Sequence, residues 1–322
     1  MDALDLAVVI VSWNVRERLR ACLHALQAEL ARWGRRGAVW VVDNGSTDGT
    51  PAMIRQSFPQ VRLIANEDNR GFAAANNQAL RAMGFEEEPP VPEPSLPRYV
   101  LLLNPDTEVE PGAVSALVDF MDAHPAVGVA GVRLSYGDGS FQHSAFRFPG
   151  LWQIALDLLP VPGRLYGSRL NGRYPRRLYE AGRPFPIDHP LGAAMMVRRE
   201  AILQVGLLDE GFFLYCEEID WCWRMHRAGW SAYCVPEARV IHHVGQSAGQ
   251  VRVASLRHLW RSRRRLYEKH YGPLRHRLAR WLVRLGMAWQ ARATWRAVNR
   301  RELPRREGEE RVRAYREIAA LF

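Results

Sequence analysis

Leu101-Leu102-Leu103-Asn104-Pro105-Asp106 is the stretch whose reading decides the fold. A short apolar run broken by Asn and Pro reads as a strand buried on both faces, and it leaves Asp106 at the rim of a sheet. In open α/β sheets that rim is where ligands bind. A carboxylate held there can carry a divalent cation against a diphosphate. Asn-Pro-Asp is by itself also an ordinary turn, so the reading depends on what other segments bring to the same edge.

Upstream, Ala7 to Val11 is an apolar strand, and Ser12-Trp13-Asn14 turns into a helix for which Asn14 and Glu17 form a capping-box pattern. Leu19, Cys22, Leu23, Leu26, Leu30 and Trp33 recur at helical spacing. Val39 to Val42 forms a second strand, ending in Asp43-Asn44-Gly45-Ser46-Thr47-Asp48-Gly49-Thr50, with Thr50 and Pro51 opening the next helix. Val61 to Ala65 is a third strand, followed by the polar loop Asn66 to Gly71 and an Ala-rich helix from Phe72 to Met83. This alternation predicts an α/β fold with a mixed, mostly parallel sheet flanked by helices. Three polar loops then open on the edge that holds Asp106.

Downstream, Gly84 to Pro97 carries three consecutive glutamates and five prolines and reads as a solvated insertion. A helix from Pro111 to Ala123 and a strand from Val127 to Leu134 follow, the strand ending in a Gly-Asp-Gly turn at 137 to 139. Gln142 to Pro190 has weak periodicity and is expected to be a variable, partly mobile cover over the site. Leu191 to Val197 reads as a strand, Arg199 to Val205 as a short helix, and Glu217 to Ala228 as a helix closed by Gly229. Ala232 to Val235 and Val240 to His242 read as two short strands.

Charge divides the chain. Residues 251–322 hold 20 basic and 6 acidic side chains, so the +10 of the whole chain belongs to the tail, while residues 1–250 are net −4. A catalytic domain over 1–250 and a basic helical tail over 251–322 are therefore expected. Within the tail, Leu274, Leu278, Trp281, Leu282, Leu285 and Trp289 fall on one helix face with Arg277, Arg280 and Arg284 along its flank. Such a helix lies in a headgroup layer, which predicts peripheral contact with an anionic membrane on its inner face. The same stripe can instead pack on the catalytic domain or on a second subunit of a homo-oligomer. Cys22, Cys216, Cys222 and Cys234 lack paired spacing, and reduced thiols in a cytoplasmic protein are expected, with neither a signal segment nor a membrane span.

Six motifs occur in order: Val41-Val42-Asp43-Asn44-Gly45-Ser46-Thr47-Asp48-Gly49-Thr50; Asn69-Arg70-Gly71-Phe72 through Asn76 and Asn77; Leu103-Asn104-Pro105-Asp106-Thr107; Gly192 through Arg199; Tyr215-Cys216-Glu217-Glu218-Ile219-Asp220-Trp221 through Arg224; and His242-His243-Val244-Gly245-Gln246-Ser247. Together they resemble the family 2 inverting glycosyltransferases of the GT-A fold, most closely the rhamnosyltransferase-like branch. The resemblance covers roughly residues 6 to 250, whereas the tail and residues 142–190 carry little of it. It implies transfer of a sugar from a nucleoside diphosphate donor, with dTDP-rhamnose favoured over UDP-sugars, to a hydroxyl of a saccharide or lipid-linked acceptor.

The residues fit that chemistry. Sugar transfer needs a grip on the nucleotide, a counter-charge for the departing diphosphate and a base for the acceptor hydroxyl. The resemblance gives Asp43 the pyrimidine N3–H, and places Ser12, Asn14, Asn69, Arg70, Gly71, Phe72 and Asn76 around the donor, with Arg70 near phosphate. Asp106 and His242 are the expected ligands of Mn²⁺ or Mg²⁺, imidazole tilting the choice toward Mn²⁺. His242 is preferred to His243 because period-two alternation puts the pair on opposite faces of a strand. Asn104 stands where the family has the first acid of an Asp-X-Asp motif, so its amide is expected on the ribose instead. Glu217, Glu218 and Asp220 crowd one helix start and raise one another's pKa values. Matching the family's paired acids selects Glu218 as base, with Glu217 beside it and Asp220 supporting catalysis or contacting the acceptor, and leaves Trp221, Gly192 and Ala193 for the acceptor.

Two other readings compete. A sugar nucleotidylyltransferase would need a glycine-rich basic loop after strand one, where this chain has Ser12-Trp13-Asn14. A nucleic-acid-binding protein would account for the basic tail, but the tail's tryptophans belong to an amphipathic stripe and no nucleic-acid motif is present.

Overall fold

The structure is a computed structural model that describes residues 4–85, 96–243 and 252–322. Of the Pro/Glu-rich insertion, residues 86–95 lie outside the described residues, and its flanks Phe85 and Leu96 are fully buried. Val244 to Ser247 of the last motif also lie outside them.

The first half runs β1 (Leu6–Ser12), α1 (Arg16–Trp33), β2 (Gly37–Asn44), α2 (Thr50–Ser57), β3 (Arg62–Asn66), α3 (Phe72–Met83), β4 (Tyr99–Leu103), β5 (Thr107–Val109), α4 (Ala113–Ala123) and β6 (Val127–Tyr136). Next come β7 (Phe141–Gln142), β8 (Ala145–Phe146), α5 (Leu151–Leu158), α6 (Arg176–Glu180), β9 (Phe185–Ile187) and β10 (His189–Pro190). The chain closes with β11 (Ala194–Arg198), α7 (Arg199–Val205), α8 (Glu217–Arg227), β12 (Ser231–His242), α9 (Arg252–His270), α10 (Pro273–Asn299) and α11 (Arg305–Leu321).

The main sheet has the order β3-β2-β1-β4-β11-β6-β12-β5. From the pairings, β3, β2, β1, β4, β6 and β12 share one direction, and β11 and β5 oppose it. The period-two pattern of the central strands makes this a three-layer structure. Leu6, Val8 and Ile10 of β1, with Tyr99, Leu101 and Leu103 of β4, pack on Leu19, Leu23 and Leu26 of α1 and on α4. Ala7, Val9 and Val11, with Val100 and Leu102, face α3 and the Trp221, Cys222 and Met225 side of α8. Strands buried on both faces need continuous apolar sequence, which β1 and β4 supply.

Three local expectations are corrected. Asn14 does not cap α1: it adopts a left-handed φ of 52°, which Asn tolerates, and its Oδ1 accepts the Thr47 N–H at 2.8 Å. Asp48 caps α1 instead, from 32 residues away, its Oδ2 accepting the Arg16 N–H at 2.8 Å. The two short strands after α8 are one strand, β12, whose register against β6 shifts between Val235 and Arg239. Residues 142–190 do not cover the main cavity, since none of them lines it. They form a small core of Ala145, Tyr179, Phe185 and Ile187 with Cys234, and the Tyr179 hydroxyl accepts the Ala145 N–H at 2.9 Å. Their frequent Pro and Gly break periodicity without preventing packing.

The three C-terminal helices pack on one another and on α5. Leu266 and Tyr267 of α9 join Phe212, Cys216 and Phe322 in a further core, with Ala279, Val283 and Met287 of α10. Gly286 lets α10 approach α5 closely, because a Cβ there would lie 2.5 Å from Leu158 Cβ. The opposite face of α10 leaves Leu274, Leu278, Trp281 and Leu285 exposed. Among the described residues no helix is long and apolar enough to cross a membrane.

Candidate active site

A cavity of about 540 Å³ lies at the sheet edge where β1, β2 and β4 end, a volume typical of small-molecule sites. One wall comes from the first two strand ends and the third loop, with Val11, Trp13, Asn44, Asn69, Gly71 and Phe72. Asn44 binds this wall together, its Nδ2 donating to Asn69 Oδ1 at 3.3 Å and to the Gly71 carbonyl at 3.1 Å. Gly71 sits at φ 86°, and a Cβ there would meet the Phe213 carbonyl oxygen at 2.5 Å. That close approach allows the Phe72 N–H to donate to the same oxygen at 2.7 Å, which ties the loop to the segment before α8.

The floor is Asn104-Pro105-Asp106, with His242 entering from the end of β12. His242 Nε2 lies 3.4 Å from Asp106 Oδ1, and the Gln142 carboxamide lies 3.2 Å from Nδ1. His243 points elsewhere, with Nε2 2.8 Å from Glu108 Oε1. The alternation argument for His242 therefore agrees with which imidazole faces Asp106. Among the described residues no third His, Cys, Asp or Glu completes a metal cluster.

The far wall is Leu191, Gly192 and Ala193 together with Glu217 and Glu218 at the start of α8. Tyr215 and Cys216 both take left-handed φ, 71° and 69°, as the chain turns sharply to present the two acids. Burial raises the pKa of both carboxyls, and the neighbouring Glu218 charge raises that of Glu217 further. Glu217 Oε2 and Glu218 Oε2 have no partner among the described residues. Glu218 packs on Gly192, which leaves just enough room: a Cβ at 192 would meet Glu218 Cγ at 3.4 Å.

The sequence-predicted residues divide clearly. Asn69, Gly71, Phe72, Asn104, Asp106, Gly192, Ala193, Glu217, Glu218 and His242 line the cavity. Ser12, Asn14, Asp43, Arg70 and Asn76 are outside its lining. Ser12 and Asp43 are register neighbours at the ends of β1 and β2, both buried, and Ser12 Oγ and Asp43 Oδ1 have no partner among the described residues. Burial raises the Asp43 pKa against the Ser46 hydrogen bonds that lower it. Asn76 is buried, its Nδ2 donating to the Phe72 carbonyl at 2.8 Å, and Arg70 is exposed beside Asp68.

Asp220 and Trp221 are not placed to touch an acceptor. Both side chains are fully buried away from the cavity, one turn of α8 having carried them past it. Trp221 Nε1 donates to the Gly206 carbonyl at 2.8 Å. Asp220 is ringed by His270, Lys269 and Arg224, at 2.8, 2.7 and 3.0 Å. Burial opposes its ionisation, but the hydrogen bonds from His270 and Lys269 and the Arg224 charge outweigh that and bring its pKa down to about 2.

Several lining residues escaped the sequence reading. Trp13, Phe213 and Leu214 are loop apolar residues, and Ala254, Ser255 and His258 come from α9 in the tail. Phe213 stacks on His258 with ring centroids 4.6 Å apart. The Trp and Phe could be sought beside the acidic and strand-end motifs, but no pattern in the sequence marks α9 as a cavity wall.

Known proteins resemble this chain in sequence and in fold. Residues 7–206 match glycosyl transferase family 2. The N-acetylglucosaminyl-diphospho-decaprenol L-rhamnosyltransferase of Mycobacterium tuberculosis is 32% identical over 319 residues, covering 94% of this chain and 98% of the relative. Rhamnosyltransferase WbbL of Escherichia coli K12 is 39% identical over 57 residues, which is 18% of this chain and 22% of the relative. Among solved structures, the mannosyltransferase PcManGT from Pyrobaculum calidifontis, in complex with GDP-Man and Mn²⁺, superposes with a TM-score of 0.55 at 16% identity, over 99% of this chain and 86% of that one. GalNAc-T7 with UDP, GalNAc and Mn²⁺ gives a TM-score of 0.52 at 18% identity, over 74% of this chain and 44% of that one. At such identities the solved structures speak for the fold alone, which is the GT-A glycosyltransferase fold expected from the sequence. The sequence matches go further: the chain belongs to glycosyl transferase family 2.

Proposed function

We propose that this glycosyltransferase moves a rhamnosyl group from a dTDP-linked donor to a hydroxyl of an N-acetylglucosaminyl-diphospho-polyprenol, with inversion at the anomeric carbon. The observation that carries the reading is that one cavity holds both a carboxylate–imidazole pair, Asp106 and His242, and two carboxyls of raised pKa, Glu217 and Glu218. The rhamnosyl donor and the lipid-linked acceptor are taken from the Mycobacterium relative, which this chain matches along nearly its whole length.

The Asp106–His242 pair fits a divalent cation. An imidazole Nε2 and a carboxylate oxygen 3.4 Å apart are too far for a good hydrogen bond and close enough to share an ion, and the Gln142 carboxamide on Nδ1 leaves Nε2 as the ring nitrogen beside Asp106. Two protein ligands leave positions for phosphate oxygens, as Mn²⁺ and Mg²⁺ sites on nucleotides require. When bound, the ion supplies counter-charge for the departing diphosphate. Asp43 Oδ1 and Ser12 Oγ, the two orphan oxygens at the strand ends, are assigned to the nucleotide base, with Asp43 accepting the pyrimidine N3–H. Asn69, Gly71, Phe72 and Asn104 enclose the nucleotide.

Glu218, the more accessible of the two acids, acts as base. It takes the proton of the acceptor hydroxyl as that oxygen bonds to the anomeric carbon and the bond from that carbon to the diphosphate breaks. Its raised pKa makes proton uptake favourable near neutrality. Gly192 and Ala193 leave space for the acceptor sugar beside it. The exposed apolar face of α10, with Arg277 and Arg284 on its flank, rests on an anionic membrane at the cytoplasmic surface, where such an acceptor resides.

Transfer to a lipid-linked N-acetylglucosamine acceptor, assayed by mass spectrometry across dTDP-, UDP- and GDP-sugars with Mn²⁺, tests the reading. It predicts a dominant product from dTDP-rhamnose, and a dominant product from another donor contradicts the choice of sugar.

A further inference from the structure

A second, smaller cavity of about 190 Å³ lies beside the active site and is rich in cations. Arg147, Arg173 and Arg263 line it with Asp157 and His189. Arg263 is neutralised by Asp157 at 2.7 Å. Arg147 and Arg173 form no ion pair among the described residues, although Arg173 donates to the Tyr166 carbonyl at 2.6 Å. His189 adds no charge near neutral pH, because burial pushes its pKa down to about 4. Arg147 and Arg173 thus leave the lining with an excess of positive charge, which Asp188, next to His189 and accepting the Phe148 N–H at 2.7 Å, offsets only in part. At its border Arg275 donates to the carbonyl of Pro149, itself a lining residue, at 3.0 Å.

Two chain segments join this cavity to the active site. His189 lines the small cavity, and Leu191 to Ala193 line the large one. Ile219 lines the small cavity, and Glu217 and Glu218 line the large one. Neighbouring residues of the same two segments thus face the two spaces. On its other side the small cavity takes Gln153 and Ile154 from α5, whose Trp152 is 73% exposed and which packs on α10 beneath the Leu274, Leu278, Trp281 and Leu285 face. Lining and packing thus run from the base through the cation-rich cavity to α5 and α10, whose outer face carries the apolar stripe. A ligand of matching order has a sugar hydroxyl, a diphosphate and a hydrocarbon chain.

We infer that Arg147 and Arg173 form the subsite for the diphosphate of the lipid-linked acceptor, which holds the acceptor sugar against Glu218. The inference rests on the acceptor class assigned above and adds the residues that select it. Guanidinium groups suit phosphate oxygens through paired charge-assisted hydrogen bonds, and a cavity this size holds well over one water, whose share of liquid volume is ~30 Å³.

The test compares kcat/KM for N-acetylglucosaminyl-diphospho-polyprenol and for a neutral alkyl N-acetylglucosaminide, in the full-length protein with Mn²⁺ and dTDP-rhamnose. Wild-type protein should prefer the diphosphate acceptor, and Arg147→Ala and Arg173→Ala should each shrink that ratio about ten- to hundred-fold, as loss of a charged hydrogen bond does, with Arg147→Lys recovering part of it. A ratio unchanged in both variants, or equal losses on the two acceptors, overturns the subsite. Wild-type protein that uses the two acceptors equally well overturns the acceptor class together with the subsite. Binding to phosphatidylglycerol vesicles distinguishes the other source of phosphate. It should survive Arg147→Ala/Arg173→Ala, and its loss with the acceptor ratio intact would make the cavity a headgroup site and reject the inference.

Discussion

His270 Nε2 lies 2.8 Å from Asp220 Oδ1, so the C-terminal helices grip the helix that begins with Glu217 and Glu218. Lys269 reaches the same oxygen, Trp223 stacks on the His270 ring at 4.5 Å, and Arg265 and Lys269 both bind Asp209. An acid that sequence position assigned to the acceptor thus anchors the tail to α8. Asp220→Asn leaves three donors facing a neutral amide, and should lower stability by about 3 kcal/mol, the low end for a broken buried pair because Lys269 and Arg224 keep solvent contact. Urea unfolding measures this, and an unchanged midpoint would refute the anchor. Because the folded-state pKa is depressed, the contribution of Asp220 is complete above about pH 4 and is lost as pH falls toward about 2.

The Glu217–Glu218 pair predicts opposite signs for activity and stability. Their raised pKa values mean that ionisation is disfavoured in the folded protein, so stability falls as pH rises through the raised values and Glu217→Gln should stabilise the fold at pH 8. The rate of transfer should rise with pH through a midpoint above the ordinary glutamate value of ~4.3. Glu218→Gln should cut turnover by about two to four orders of magnitude while donor affinity is retained. Near-normal turnover in Glu218→Gln, with Glu217→Gln inactive, would move the base to Glu217.

For the metal pair, calorimetry of dTDP binding in the presence and absence of Mn²⁺ is decisive. Asp106→Ala should abolish the Mn²⁺-dependent increase in affinity, and Gln142→Ala, which frees the His242 ring, should weaken it about ten-fold or more. Equally tight Mn²⁺-dependent binding in Asp106→Ala would exclude the pair as the ion's holder.

Membrane contact is best tested by point substitution. Ending the chain near residue 250 would strip Ala254, Ser255 and His258 from the cavity and open the core around Phe212 and Cys216. Leu278→Ser/Trp281→Ser alters exposed side chains only, and should reduce flotation with anionic vesicles at low salt while leaving thermal stability within a few degrees. Undiminished flotation would assign the stripe to a protein interface.

How much of this was legible depended on how local the signal was. The Leu101–Leu103 run and the helix Phe72–Met83 are legible because apolar period and loop chemistry lie within a few residues, and β1 and β2 run only slightly past the ends expected at Val11 and Val42, to Ser12 and Asn44. Asp48 reaching the start of α1 across 32 residues, and α9 lending His258 to a cavity built by β1 and β4, leave no such local trace. The acid cluster was legible as a cluster, yet only the turn at Tyr215 and Cys216 decides that Glu217 and Glu218 face the cavity while Asp220 faces the tail. Residues 142–190 looked loosely organised because their core uses aromatic rings spaced by Pro and Gly, a pattern with no fixed period.

On the proposed mechanism one carboxylate in this cavity drives a single displacement at the anomeric carbon. Nuclear magnetic resonance of the purified product, read at the anomeric carbon–hydrogen coupling, tests it most directly. A new glycosidic bond of configuration opposite to the donor's is expected, formed by wild-type protein and lost in Glu218→Gln. A product that keeps the donor's configuration would contradict it.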